Sequence, residues 1–399
     1  MFKKDTRTAL LITGFLILLN GCFYITIIPL FILKFISFTC SSFILLHSIF
    51  HCIKKQTLKE SPSIAPIFYL IIASFFTSLF FHYQDITLSL IRSFTWINIG
   101  FCYLLLNYKI NENIIYKSII FFCIIWILCY IYAVISYPSV AFDPSGGEIT
   151  EINSGRGFYR FKISGSEFIY LLFYWMINKY INSKKIKYLF FSCILFLMII
   201  LMLSRQHIIV NLFIASLWLL KDLSLIKKVI FMSSISILSF FIIPQTTIYQ
   251  NMAELTENQL EMNNGGKDDI RMQAYKYYLF DYNDSLGETI FGNGLYHSKS
   301  EWGKSVSKII ENKGLVLSDV GFASLFHQFG IIGIIILGFF FFKIFKQSHD
   351  KQHLFIKYYI LSILGGNILS HQVDMSITSI AIIVYLCWIQ NQQKKIKIN

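Results

Sequence analysis

The sequence predicts an all-α integral membrane protein with about twelve transmembrane helices and one large, partly helical extracytoplasmic loop. Three observations carry that prediction. Apolar runs of roughly 16–22 residues recur along the whole chain, the length a helix needs to cross a hydrocarbon core. Charged residues make up 14% of the 399 positions against 55% hydrophobic ones, with a mean hydropathy of +0.59. That is too little charge for a water-facing surface, where about 25% is usual. One long hydrophilic run, from about Pro244 to Gly321, interrupts the apolar pattern before Phe322 opens a new apolar segment.

In chain order the runs place spans near 8–27, 31–52, 62–82, 87–108, 118–137, 167–182, 188–203, 207–220, 229–244, 322–342, 354–371 and 374–390. The first run follows Lys3, Lys4 and Arg7 as in a signal peptide, but no small-residue cleavage site comes after it, so it reads as an uncleaved span. Residues 1–243 thus hold nine spans and an outer loop at 138–167, 244–321 form the large outer loop, and 322–399 hold three spans and a cytoplasmic tail. The eight cysteines, at 22, 40, 52, 102, 123, 129, 193 and 387, have no CxxC spacing and avoid the large loop. They read as buried small hydrophobes, so no metal site, cofactor or disulfide framework is expected.

The net charge of +13 would suit nucleic acid or an acidic partner, but its placement argues for orientation in a lipid bilayer. With the N-terminus inside, 22 of the 35 Lys and Arg residues fall on inner segments, and only six, Lys34, Arg92, Arg156, Arg160, Lys162 and Arg205, on short outer ones. The other seven lie in the large loop, which does not count towards orientation. Both termini are therefore expected in the cytoplasm, the large loop outside, and no nucleic-acid partner. Arg is sorted as well. Arg7 is the one inner Arg, whereas Arg92, Arg156, Arg160, Arg205 and Arg271 are all outer. Lys serves orientation with no geometric demand, while the planar Arg fork suits phosphate oxygens, so the outer set is a candidate anion site.

The local patterns support that reading, each with a plainer alternative. Gly155-Arg156-Gly157-Phe158-Tyr159-Arg160-Phe161-Lys162 interleaves cations with aromatics, as suits a sugar ring beside phosphate or an interfacial belt on anionic headgroups. Arg205, in Ser204-Arg205-Gln206-His207, faces an anion or aqueous cavity, or snorkels to headgroups. Arg92 lies within the fourth span and needs a partner, for which Asp85 is a candidate. Asp268-Asp269 reads as an N-cap to a helix carrying Ile270, Ala274, Tyr277 and Leu279 near one face, with Arg271 in its first turn. Gly292-Asn293-Gly294 reads as a tight turn too short for a nucleotide-binding motif, and His297 as a candidate base or an ordinary loop histidine. Ser318-Asp319 reads as the cap of the span starting near Phe322, with Asp319 also a candidate catalytic carboxylate.

From Leu203-Ser204-Arg205, through Arg271 and Phe291-Gly292-Asn293-Gly294, to Asp319-Val320-Gly321-Phe322-Ala323-Ser324-Leu325-Phe326-His327-Gln328-Phe329-Gly330-Ile331-Ile332-Gly333, the order of residues resembles the O-antigen polymerase (Wzy) and O-antigen ligase superfamily of bacterial envelopes. The resemblance covers about Met202 to Gly333 and rests on degenerate motifs. It implies a metal-independent glycosyltransferase of the inner membrane that uses undecaprenyl-diphosphate-linked oligosaccharide at the periplasmic face, with a chain-length regulator as a membrane partner. The ligase branch carries a His eleven residues before the Gly corresponding to Gly330. Asp319 stands there instead, which favours the polymerase branch. The reaction implied needs developing negative charge on a lipid diphosphate stabilised, which assigns diphosphate binding to Arg156, Arg160, Arg205 and Arg271 and the acceptor base to Asp319 or His297. An O-antigen ligase is the alternative within this chemistry, and a flippase or transporter for lipid-linked glycan is the alternative outside it. No internal repeat of the kind transporters carry is visible.

Overall fold

In a medium without water, backbone N–H and C=O groups must be satisfied within the segment, so the apolar runs fold as helices. The computed structural model describes residues 2–53, 63–143, 161, 163–202, 204–221, 269–347 and 350–398, with isolated positions between 224 and 250. Apart from position 233 the expected span at 229–244 lies outside the described residues, as do the cations Arg156, Arg160 and Lys162, and Asp268.

In order, α1 is Phe2–Leu19, α2 Leu30–Ile53 and α3 Ala65–His82. Helix α4 (Ile86–Ile97) runs through a tight turn at Asn98–Gly100 into α5 (Phe101–Asn107), followed by α6 (Glu112–Ile135). Then come α7 (Glu167–Ser183), α8 (Ile186–Leu201) and α9 (Arg205–Leu220). The hydrophilic region contributes α10 (Ile270–Lys276), α11 (Leu286–Phe291) and α12 (Glu301–Lys313). The chain ends with α13 (Gly321–Lys346), α14 (Phe355–Gly366), the single turn α15 (Gln372–Met375) and α16 (Ile377–Ile398).

Among the described residues no strand occurs beyond an isolated bridge between Ile25 and Phe142. Five helical stretches are long and apolar enough to cross a membrane: Leu30–His51, Ala65–His82, Ile86–Asn107, Glu112–Ile135 and Gly321–Lys346. Helices α8, α9 and α14 are apolar but shorter. Large apolar side chains such as Phe31, Phe80 and Phe339 point outward from these helices, an arrangement suited to lipid and not to water. The inner faces bury one continuous core that includes Trp96, Phe101, Phe122, Trp126, Phe168, Tyr174 and Tyr359.

Two sequence expectations change here. Spans at 354–371 and 374–390 leave almost no connection, but helix α14 stops at Gly366 and an irregular segment with the short turn α15 intervenes. Gly365, Gly366 and Asn367 end the helix, because glycine loses the most entropy in a helix interior. The cysteines are only partly as expected: Cys102, Cys123 and Cys387 are buried, but Cys193 is exposed on the outer face of the bundle.

At one end of the bundle, the α13–α14 connection is clamped onto the start of α6. His353, 1% exposed, sits between Asp350 (Nδ1–Oδ1 2.7 Å) and Glu112 (Nε2–Oε1 3.0 Å). Burial acts to lower the His353 pKa, but the hydrogen bonds and charges of Glu112 and Asp350 outweigh it, and the net shift is upward. A raised folded-state pKa means stabilisation that is complete below the unfolded value, about 6.5, and lost as pH rises through the folded value. Relative to His353→Gln, the wild type should therefore gain most thermal stability near pH 6 and progressively less at higher pH. A series of melting curves in detergent checks this, and a pH-independent difference would contradict it.

Candidate functional site

The opposite end of the bundle collects the polar residues, and two interrupted helices create the place for them. Helix α13 breaks at Gly330, whose φ of 63° and ψ of −167° lie in a region essentially confined to glycine. The break releases the carbonyls of His327 and Gln328, and the Gly292-Asn293-Gly294 segment takes them. The Asn293 N–H donates to the His327 oxygen (2.8 Å) and the Gly294 N–H to the Gln328 oxygen (3.0 Å). This corrects the reading of that segment as a simple tight turn. A Cβ at Gly292 would lie 2.5 Å from the Gln328 carbonyl oxygen, and one at Gly294 2.4 Å from the Ser74 carbonyl oxygen. The glycines permit backbone to lie directly on backbone.

Asn293, fully buried, is held on three sides. Its Nδ2 donates to Asn283 Oδ1 (2.8 Å), and its Oδ1 accepts from His82 Nε2 (2.9 Å), whose ring stacks on Trp302 at 3.9 Å. Gln84 anchors the next residues. Its Nε2 donates to the Leu295 carbonyl (3.0 Å) and its Oε1 accepts from the His297 N–H (2.8 Å) and Ser300 Oγ (2.9 Å). His327, with no exposed surface, is enclosed by Tyr278, Tyr282, Tyr296 and Trp302, and neither ring nitrogen has a hydrogen-bond partner.

The second interruption lies between α14 and α16. Gln206 Nε2, at the start of α9, donates to the carbonyls of Gly365 and Gly366. His207 Nε2 lies 3.5 Å from Ser370 Oγ, and Tyr275 of α10 donates to the Ile368 carbonyl. Gly321, where α13 begins, packs so closely that a Cβ would meet the Ser370 and Asn367 carbonyl oxygens. These contacts aim His371 and Asp374 towards α13. His371 Nδ1 lies 3.4 Å from Ser324 Oγ and 3.7 Å from Asp374 Oδ2, and Gln328 Nε2 lies 3.1 Å from Ser324 Oγ and 3.5 Å from Asp374 Oδ2. Gln328 Oε1 and Asp374 Oδ1 are buried without a partner. Such an atom costs about 1–3 kcal/mol unless something occupies it.

The fields of neighbouring groups tie these residues into one region. His371 feels Asp374, Arg92 and Asp319. Burial raises the Tyr296 phenol, Arg92 opposes the shift and Asp374 adds to it. Burial, then Arg92, Lys299 and Lys34, holds the His297 pKa below its ordinary value, so its ring is neutral at pH 7. Nδ1 of that ring accepts the Lys299 N–H (3.2 Å), so its proton sits on Nε2.

The structure brings some expected residues together and leaves others apart. Asp319 and His297 are both half-buried beside this region. Asp319 does not cap α13: the N-cap position is Val320 without a side-chain cap, and Ser318 Oγ only meets Asp319 Oδ1 at 3.3 Å. The 3₁₀ turn Leu317–Asp319 consumes the residues that would have capped the helix. Arg205 is half-buried at the first position of α9, next to Gln206 and His207. Arg271 is exposed on α10, where Asp269 caps the helix as expected by accepting the Arg271 N–H (2.7 Å). Arg92 does not pair with Asp85, which instead caps α4 through the Thr87 and Leu88 N–H groups (2.7 and 3.3 Å).

Reasoning from sequence missed His371, Asp374, Ser324 and Gln328. The signal was present: His371-Gln372-Val373-Asp374 is a polar interruption between apolar runs, and ionisable residues at that depth mark function by default. The class that fold and site define is a helical protein with apolar helices long enough to cross a membrane and a buried polar site where a hydrophilic segment docks on two broken helices. No protein-family model matches the chain, and no curated protein matches it.

Proposed function

We propose that this chain is an O-antigen-type surface-polysaccharide polymerase of a bacterial inner membrane. It would join undecaprenyl-diphosphate-linked repeat units at the periplasmic face, with both termini cytoplasmic and a chain-length regulator as partner. The observation that carries the reading is the gathering of Arg92, Arg205, Asp319, His371 and Asp374 at one end of an apolar bundle, where the docked hydrophilic segment closes over them. Cations at a membrane-facing polar site suit a lipid diphosphate, whose departure needs charge stabilisation more than protonation. Arg205 and Arg271, with Arg156 and Arg160, bind the diphosphates of donor and acceptor. Of the two bases considered from sequence, Asp319 has the free acceptor oxygen, whereas the neutral His297 ring has its only acceptor nitrogen occupied.

Deleting the gene in its native strain should leave lipopolysaccharide with core plus a single repeat unit. Bare core would point to the ligase instead. A second reading, a flippase for lipid-linked glycan, draws on the break of α13 at Gly330, since discontinuous helices mark many transport sites. Here the break is filled by the protein's own Gly292–Gly294 backbone. Uptake of lipid-linked repeat unit into proteoliposomes containing this chain would establish transport; its absence would remove that reading.

A further inference from the structure

Resting on the polymerase reading, we propose that His371 is the catalytic base for the acceptor sugar hydroxyl and that Asp374 is its positioning residue. Nδ1 of His371 faces inward to Ser324 Oγ (3.4 Å) and Asp374 Oδ2 (3.7 Å). The side chain is 19% exposed, and Nε2 is not among the buried polar atoms left without a partner. No partner for Nε2 occurs among the described residues. A carboxylate behind Nδ1 keeps the proton on that nitrogen, leaves the Nε2 lone pair facing outward, and stabilises the imidazolium that forms when Nε2 takes a proton.

Two other titratable groups lie on this face, His297 and Asp319. His297 has Nδ1 occupied by the Lys299 N–H and presents only an N–H. Asp319 accepts from Ser318 and lies within the electrostatic reach of His371, where it assists as a second carboxylate. The groups that face His371 are Asp374 and Ser324 from α15 and α13, Asp319 before α13, and Arg92 from α4. A sugar acceptor also accounts for the two stranded oxygens, Gln328 Oε1 and Asp374 Oδ1. Both need donors, and neighbouring sugar hydroxyls donate once the site opens to admit the acceptor.

In the step, Nε2 of His371 takes the hydroxyl proton and the hydroxyl oxygen bonds to the donor's anomeric carbon. The bond from that carbon to the diphosphate oxygen breaks, and its electron pair leaves on the lipid diphosphate. The imidazolium then returns its proton to solvent, and no oxidant or further reactant is needed.

The test uses the full-length protein in membranes from the deletion strain, supplied with purified lipid-linked repeat unit. His371→Gln should lower kcat by about 10³-fold with KM within about threefold, as expected for removal of a general base. Asp374→Asn, which preserves the shape of the buried side chain, should lower kcat by about 10²-fold, again with little change in KM. Exogenous imidazole should restore part of the His371→Ala activity and none of the Asp374→Asn activity. The inference is overturned if Asp374→Asn and His371→Gln, present at wild-type levels by immunoblot, keep kcat within about threefold, or if only KM moves. Should His371→Gln fail to accumulate, Asp374→Asn alone decides by the same kcat criterion. If deletion itself leaves chain length unchanged, the polymerase reading fails; if deletion abolishes polymerisation but these variants polymerise normally, only the assignment of the base fails.

Discussion

Gly330→Ala should cost about 3–5 kcal/mol and undock the 286–300 segment from α13. At φ 63° and ψ −167°, a residue with a Cβ pays roughly 1–3 kcal/mol in backbone strain alone. The new Cβ would also lie 2.4 Å from both the Gly292 nitrogen and the Ile290 carbonyl oxygen, so the two backbones must separate. Separation breaks the Asn293 and Gly294 hydrogen bonds to α13, each worth about 1 kcal/mol. Gly292→Ala attacks the same contact from the other side, and the double variant should cost less than the sum, because both lose the same docking. Gly338→Ala supplies the control: it lies in the same helix with nothing within 4 Å of its Cβ, and its effect should fall within about 0.5 kcal/mol of wild type. Thermal unfolding in detergent, with trypsin cleavage at Lys299 and Lys304 as a local probe, distinguishes the cases. A Gly330→Ala protein as stable and as protected as Gly338→Ala would refute the account of the break.

Arg205→Ala should reduce repeat-unit joining by about 10²–10³-fold, the range seen when a preorganised donor to a developing anion is removed. Arg205→Lys should recover only part of this, because it keeps the charge but loses the bidentate fork. Arg205 starts α9 beside Gln206, which is pinned to the Gly365 and Gly366 carbonyls, and so its backbone is fixed beside the interrupted helix. Arg271 is exposed on a short helix, where solvent screens its charge, and Arg271→Ala should cost nearer 10-fold. Lipopolysaccharide ladders from complemented deletion strains give the ranking. Equal effects at the two positions, or a normal ladder with Arg205→Ala, would count against Arg205 as a diphosphate ligand.

Much of the helical layout was legible because hydrophobicity is local and additive along a span: the expected segments near 31–52, 62–82, 87–108, 118–137 and 322–342 coincide with the five helical stretches long and apolar enough to cross a membrane. Asp269 could be read as a cap for the same reason, since a cap is settled within three residues. Ser318-Asp319 misled because a tight turn and a helix cap share the same residue types, and only the path of the chain into Gly321 separates them. His371 and Asp374 were absorbed into span boundaries, since hydropathy averaged over a window hides a four-residue polar break.

By itself, the sequence determined that this chain is helical, apolar and suited to a membrane. Those properties depend on composition and short-range periodicity. Tertiary structure alone decided which polar residues meet. Arg92 lies within the electrostatic reach of Tyr296 and His371 while Asp85 caps α4, and the Gly292-Asn293-Gly294 segment became the filling of a break in α13. The physical reason is that a helix break frees carbonyls for whichever segment can approach most closely, and glycines far apart in sequence become partners only when the chain has folded.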